Sequence, residues 1–317
     1  MTRRRRDARG AQQGSGVDAT ESSLKHQSPS SEGSGAQGRC KLAPGLYLTA
    51  TPIGNMADLS LRAIEVLGAA DVIACEDTRV TGKLLARHRI TTPRLSYHEH
   101  NAARVRPQLL RRLSAGQAVA LVSDAGTPLI SDPGYKLVRA TIEAGLPVTA
   151  VPGPSAVLAA LTLSGLPTDR FLFAGFLASR GARRRRELKD LAAIEATLVV
   201  LESARRLPAT LADMAAALGD RPAAVARELT KRFEEVRRAP LPELARHYAA
   251  EGAPKGEVVI VVAPPGPRTV DEAAAEAMLR EALRTMGTRE AAAQVAAASG
   301  IPRRRLYGRA LELRKGG

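Results

Sequence analysis

The sequence predicts an α/β protein of two domains, the first built on a mostly parallel sheet, with a small helical segment at its C-terminal end. Three observations carry this expectation. From Gly45 onward, short apolar runs alternate with segments whose apolar residues recur at helical spacing. Loops rich in Gly and Pro follow the runs, the order expected of a parallel sheet covered on both faces. The chain has 317 residues, 44% hydrophobic and 25% charged, enough for two cores and appendages.

Residues 1–43 lack any apolar period and are rich in Gly, Ser, Gln and Arg, so they are expected to form a disordered basic tail. Gly33, Gly35 and Gly38 spell G-x-G-x-x-G, but that fingerprint has meaning only between a strand and a helix and is set aside. The first domain is assigned to residues 44–166. It opens with a strand at 46–50 and a loop at 51–55. Asp58 is expected to cap a helix carrying Leu61, Ile64 and Leu67, with Gly68 as its stop. Strands follow at 71–75, near Leu95 and Tyr97, at 118–122 and at 148–151. Helices are expected through Val105, Leu109 and Leu113, through Leu137 and Ile142, and from Ser155 through Leu161. The second domain, 167–266, has strand candidates at 171–176, 197–201, 223–227 and 257–262, and ends at Pro264-Pro265-Gly266-Pro267. Residues 267–317 are expected to be helical, with turns at Gly287 and Ser299-Gly300.

The formal net charge is +15, of which residues 1–40 contribute +3. The remaining excess favours a polyanionic partner, nucleic acid first. Aromatic residues are only 3%, so base stacking in the manner of single-strand binders is not indicated. No apolar run approaches the roughly 18 residues of a membrane helix, and no apolar segment follows Arg3–Arg6 as a secretory signal would require. Cys40 and Cys75 give neither a disulfide framework nor a zinc set, which fits a reducing, cytoplasmic setting. His98 and His100 have no further His or Cys nearby, so no metal is expected.

Three loops fall at the C-terminal ends of first-domain strands, where open parallel sheets bind ligands. They run over residues 51–55, 123–134 and 151–156, and their Gly and Pro residues let a ligand approach the backbone closely. No G-x-x-x-x-G-K-[ST] occurs, which disfavours phosphate transfer.

These loops, together with Glu76-Asp77-Thr78-Arg79, residues 171–177 and Arg227-Glu228-Leu229-Thr230-Lys231, resemble the tetrapyrrole-methylase superfamily. Ile53-Gly54-Asn55 stands where the small-molecule branch typically has a G-P-G-D-type loop. In this the chain is similar to the branch that methylates ribosomal RNA. The resemblance covers about residues 44–264, with a C-terminal extension of similar character. It implies two α/β domains with S-adenosylmethionine folded into the cleft between them, usually in a homodimer. The implied acceptor is the ribose 2′-oxygen of a decoding-centre cytidine in 16S rRNA, free or within the small ribosomal subunit.

Carried over by motif, the cofactor contacts are Pro52, Ile53, Gly54 and Asn55, then Asp124, Gly126, Thr127, Pro128 and Ile130, then Gly153, Ser155 and Ala156. Loops of this composition suit a sulfonium, which tolerates little positive charge nearby. Glu76, Asp77 and Arg79 are the candidate catalytic residues, Asp77 as proton acceptor and Arg79 on a phosphate or alkoxide, with His98 as rival base. Arg183, Arg184, Arg185 and Arg186 are either a solvated helix face or an RNA contact. The segment with Val295, Gly300 and Pro302 resembles a helix-turn-helix that exposes Arg303, Arg304 and Arg305 to RNA, its alternative being a structural cap. Two other readings stay open: a tetrapyrrole-precursor methyltransferase, and a non-catalytic nucleic-acid-binding protein.

Overall fold

The computed structural model describes residues 41–266 and 272–315. The expected tail up to residue 40, with Cys40 and the Gly33–Gly38 pattern, lies outside the described residues, as does 267–271 of the linker region.

The first sheet contains β1 (Gly45–Thr49), β2 (Val72–Cys75), β3 (Arg94–Ser96), β4 (Ala118–Val122) and β5 (Val148–Val151) in the order β3-β2-β4-β1-β5. Every pairing is parallel. β4 is Ala-Val-Ala-Leu-Val with all five residues buried, because it runs between β2 and β1 with helices on both faces. Removing each Val or Leu of such a strand from water stabilises the fold by about 1.5–3 kcal/mol. One face packs on α1 (Leu61–Ala69) and α2 (Thr78–Arg87) through Leu67, Leu84 and Leu85. The other packs on α3 (Ala102–Ser114) and α4 (Tyr135–Glu143) through Leu109, Leu113 and Leu137.

Two local expectations are corrected. The cap of α1 is Ser60, whose hydroxyl accepts the Ala63 N–H at 3.1 Å, while Asp58 closes a 3₁₀ turn, Met56–Asp58. The helix also runs through Gly68 to Ala69 and stops where Ala70 turns extended. α2 was not anticipated. Asp77 starts it, its carboxylate accepting the Arg79 N–H at 2.7 Å.

After α5 (Ala156–Ser164) comes a mixed sheet of β6 (Phe171–Phe176), β7 (Thr197–Ser203), β8 (Pro222–Arg227), β9 (Glu235–Pro240) and β10 (Glu257–Val262), ordered β6-β7-β10-β8-β9. Only β6 and β7 pair in parallel. One face packs on α6 (Gly181–Ala192), α7 (Leu207–Leu218) and α8 (Leu241–Glu251) through Leu188, Leu211 and Leu244. The opposite face receives Val157, Ala160 and Leu161 of α5, with Ile53 from the loop after β1. That apolar cluster joins the two sheets and sets the walls of the space between them. The charged strand β9 was missed, because Glu235-Val236-Arg237-Arg238-Ala239-Pro240 carries an edge strand's protective charges rather than an apolar run.

Three helices, α9 (Glu272–Thr285), α10 (Thr288–Ser299) and α11 (Arg303–Lys315), bury Leu279, Val295 and Leu306 together. Gly300 ends α10 in the left-handed conformation, φ 70°. No helix among the described residues is long and apolar enough to cross a membrane.

Candidate active site

The three anticipated loops follow β4, β1 and β5, which are neighbours in the sheet, and hydrogen bonds tie them into one platform. Thr51 and Gly126 exchange backbone bonds of 2.9 and 3.0 Å, and the Thr51 hydroxyl donates to the Ser123 carbonyl at 3.1 Å. The Thr127 hydroxyl donates to the Pro154 carbonyl at 3.1 Å, joining the second loop to the third. Gly126 sits at φ 81°, and a Cβ there would meet Ile53 Cγ2 at 3.3 Å. Leu129 and Ser131 also have positive φ, at 74° and 65°, and Glu228 and Thr230 share this geometry across the cleft at 50° and 64°. Strain of this kind persists only where the surroundings fix it, and it collects at ligand sites.

The platform forms one wall of a cleft of about 470 Å³, a size in the range of cofactor sites. Of the anticipated cofactor residues, Ile53, Asp124, Gly126 and Thr127 line it, as do Ile130, Ser155 and Ala156. Pro52 and Gly54 line a smaller adjoining cavity of about 210 Å³. Asn55, Pro128 and Gly153 line neither of the two. Asn55 caps the 3₁₀ turn and donates its N–H to Thr230 Oγ1 at 3.1 Å, whereas a Cβ on Gly153 would press on Ala50 Cβ at 3.0 Å. Asn55 and Gly153 thus hold the loops in place. The opposite wall comes from the second sheet and the loop after β8 and includes Phe176, Leu201, Leu229, Glu257 and Val259. Its advance signals were the 171–177 and Arg227–Lys231 motifs, the second of which carries strained backbone at Glu228 and Thr230.

The cleft is acidic. Asp124 and Asp132 line it, and Lys231, beside the adjoining cavity, is bound by Glu228 at 2.8 Å and Glu257 at 2.9 Å. Burial pushes the Asp132 carboxyl up to about 6, helped by the negative charges of Glu76 and Asp124 and opposed by a hydrogen bond with Ser123. Asp132 lay inside the quoted loop but was not picked as a site residue.

Asp124 also opens onto a second cavity of about 630 Å³ that gathers Glu76, Asp77, Arg79, His98 and His100. Here one sequence expectation is corrected. Asp77 is a poor proton acceptor, because the Arg79 guanidinium 2.6 Å away and the Arg79 and Val80 backbone N–H groups hold its carboxyl far below the usual range. Its backbone N–H donates to Asp124 Oδ1 at 3.0 Å, so it orients the cleft carboxylate while capping α2. Arg79 is 86% exposed and free to reach a ligand on its outer side. His98 Nδ1 is buried with no hydrogen-bond partner among the described residues. No cluster of metal-ligating side chains occurs among the described residues.

The arginine run divides. Arg184 is corrected from RNA contact to structural ion pair: it is 6% exposed and lies 2.6 Å from Asp213 on α7. Arg185 reaches the same carboxylate at 3.4 Å. Arg183 and Arg186 instead line a groove of about 910 Å³ with Arg180, which the sequence did not single out. In the C-terminal helices, Arg303 and Arg304 stand exposed at the start of α11, and Arg305 meets Glu272 at 2.5 Å.

With this geometry in hand, comparison with known proteins is specific. Residues 45–245 match the family described as Tetrapyrrole (Corrin/Porphyrin) Methylases, and residues 269–314 match the RsmI C-terminal HTH domain. The chain is 52% identical over 274 residues to the ribosomal RNA small subunit methyltransferase I of Mesorhizobium japonicum, covering 86% of this chain and 93% of that protein. Its counterpart in Escherichia coli O157:H7 is 44% identical over 276 residues, 84% of this chain and 94% of that one. Among solved structures, a diphthine synthase shares the fold at 16% identity with a TM-score of 0.55, over 72% of this chain and 91% of that one. A cobalt precorrin-4 methyltransferase does so at 19% identity with a TM-score of 0.53, over 69% and 94%.

Proposed function

The chain belongs to the tetrapyrrole-methylase family, and within it to the small-subunit ribosomal RNA methyltransferases; from that premise we propose that its methyl donor is S-adenosylmethionine and its acceptor the ribose 2′-oxygen of a decoding-centre cytidine in 16S rRNA. The observation that carries the donor is the cleft itself. Its lining is apolar at Ile53, Ile130, Leu201 and Val259, and its charged lining is carboxylate. An adenine suits the former and a sulfonium cation the latter, whereas a nucleotide triphosphate would meet repulsion from Asp124 and Asp132.

When bound, S-adenosylmethionine supplies an electrophilic methyl group. The platform of Gly126, Thr127 and Ser155 would hold it through backbone and hydroxyl groups. The protein's main contribution is to fix the acceptor oxygen in line with that methyl. A 2′-hydroxyl must shed its proton as it is alkylated, and Asp132, with its carboxyl near neutrality, receives it. The 2′-oxygen gains the methyl, and Asp132 passes the proton to water when product leaves. Glu76 and Asp124 keep Asp132 basic by their charge, and Asp77 holds Asp124 in place through its backbone N–H. Arg79 is positioned for a substrate phosphate.

The reading includes a cytoplasmic homodimer. β5 is an outer strand with Thr149 and Ala150 exposed, and beside it α1 anchors Arg62 on the Ala150 carbonyl while Leu61 stays 80% exposed, which suits a second copy of the chain. Mass mapping of ribose methylation in 16S rRNA, from cells with and without the gene, tests the acceptor. Loss of one cytidine 2′-O-methyl group is expected; an unchanged map would overturn it.

A further inference from the structure

β6 carries an irregularity that the rest of the sheet lacks a reason for. Its parallel register on β7 runs Phe173 opposite Val199 and then Gly175 opposite Val200, so Ala174 is an extra residue. Gly175 takes φ 66° to accommodate the bulge. The consequence falls on Phe176. Phe176 is 57% exposed at the end of a strand whose middle residues are half-buried, and it lines two spaces at once, the cofactor cleft and the groove of about 910 Å³.

That groove is cationic. Arg180, Arg183 and Arg186 line it, and none of the three is ion-paired among the described residues, although Arg184 and Arg185 on the same helix both turn to Asp213. Two carboxylates share the lining, Asp190 and Glu187, the latter accepting the Ala178 N–H at 3.0 Å, so three guanidiniums against two carboxylates leave the groove net positive. Phe176 shares the lining of the cofactor cleft with Ser131 and Asp132, and its neighbour Gly175 lies where an added Cβ would be 3.7 Å from Ser131 Oγ.

We propose that Phe176, Arg180, Arg183 and Arg186 form a nucleotide subsite. The base of the nucleotide being methylated stacks on the Phe176 ring, and the flanking phosphates lie on the three guanidiniums. This places the intervening ribose at the mouth of the cleft, facing Asp132. The proposal rests on the RNA-methylation reading and adds to it how the target strand is held. The chemistry fits a single-stranded or flipped-out nucleotide: every base has a π-face, and loose strands are held by aromatic platforms beside cationic tracks. It also gives a reason for the exposed ring, which a base would cover. The low aromatic content argued against stacking in general, but one ring at the right place suffices for one target base.

The test uses the full-length protein, a 16S rRNA fragment as substrate, and variants whose melting temperatures match wild type. Phe176→Leu keeps apolar volume at the cleft and removes the π-face. It is expected to raise KM for RNA about tenfold or more, a larger change than any in S-adenosylmethionine affinity measured by calorimetry, and Phe176→Trp to restore it. Arg180→Ala, Arg183→Ala and Arg186→Ala together are expected to weaken RNA binding. They should also make the slope of log affinity against log salt shallower by about 2, at about 0.7 per single-strand phosphate contact. If Phe176→Leu changes only cofactor affinity, or the triple variant keeps the wild-type salt slope, the subsite is wrong while RNA methylation stands. If the wild-type protein neither binds nor methylates the RNA, the RNA reading falls and takes the subsite with it.

Discussion

Asp132→Asn should stabilise the protein while removing most of its activity. The carboxyl is pushed from 3.8 to about 6, by burial first and then by the charges of Glu76 and Asp124. A raised carboxyl pKa means that the anion disfavours the folded state. The penalty is absent below the unfolded value, grows as pH rises through the folded one, and is complete above it. Each tenfold change in an ionisation constant is worth about 1.4 kcal/mol, so full expression would be about 3 kcal/mol. The side chain is partly exposed, and solvent screening reduces this to about 1.5 kcal/mol. Asparagine is neutral at every pH and nearly isosteric, so it should escape the penalty. For a chain of this size the gain in Tm is about 2 °C at pH 8. It should be about half as large at pH 5, where the folded-state carboxyl is already mostly protonated. The assay is a set of thermal melts of both proteins between pH 5 and 8, beside methyl-transfer rates. The wild-type rate should rise with pH through about 6 and level off, and the variant should lose about a hundredfold in turnover. A Tm that falls, or a gain independent of pH, would refute the electrostatic argument; near wild-type turnover would place the base elsewhere.

Three further outcomes follow from the same geometry. Gly126→Val and Ser155→Trp should each abolish S-adenosylmethionine binding by calorimetry in folded protein, since Gly126 sits at φ 81° against Ile53 and Ser155 lines the cleft; unchanged affinity in both would remove the cofactor from these loops. Arg184→Ala strands Asp213 with only the 3.4 Å contact to Arg185, and should cost about 3 kcal/mol in urea unfolding, whereas Arg183→Ala should stay within about 0.5 kcal/mol. Arg303→Ala combined with Arg304→Ala should weaken RNA binding and flatten its salt dependence without touching cofactor affinity; unchanged binding would leave the three C-terminal helices a structural role alone.

The fold was legible where local pattern and tertiary environment agree. Ala118–Val122 reads as a buried strand because both of its faces are covered, and the Gly and Pro loops read as ligand loops because backbone conformation is written in residue type. The order of the first sheet then brought three loops, scattered over about a hundred residues, to adjacent strand ends. Pattern failed where charge stood in a structural position. β9 is an edge strand with Glu235, Arg237 and Arg238 among its six residues, and Asp77 was read as a base when its first task is to start α2.

The arginine run states the limit most clearly, because its four residues are chemically identical and their fates are not. A helix turns about 100° per residue, so the four side chains fan out, and what each one meets depends on chain far away in sequence. Arg184 meets Asp213, 29 residues on, and is buried; Arg183 and Arg186 meet a groove whose other wall, Phe176, is supplied by a bulge in the preceding strand. Asp132 is raised by burial first and then by the charge of Glu76, more than fifty residues earlier, whereas Asp77 is lowered locally by its neighbour Arg79. Residue type therefore told which loops could hold a ligand, while the distinction between a proton acceptor and a helix cap, or between an RNA contact and a core ion pair, was set by the groups each side chain meets in the fold. Substitutions at Asp132 and Arg184 measure that distinction directly: both replace a charged side chain by a neutral one, and the structure assigns them opposite effects on stability.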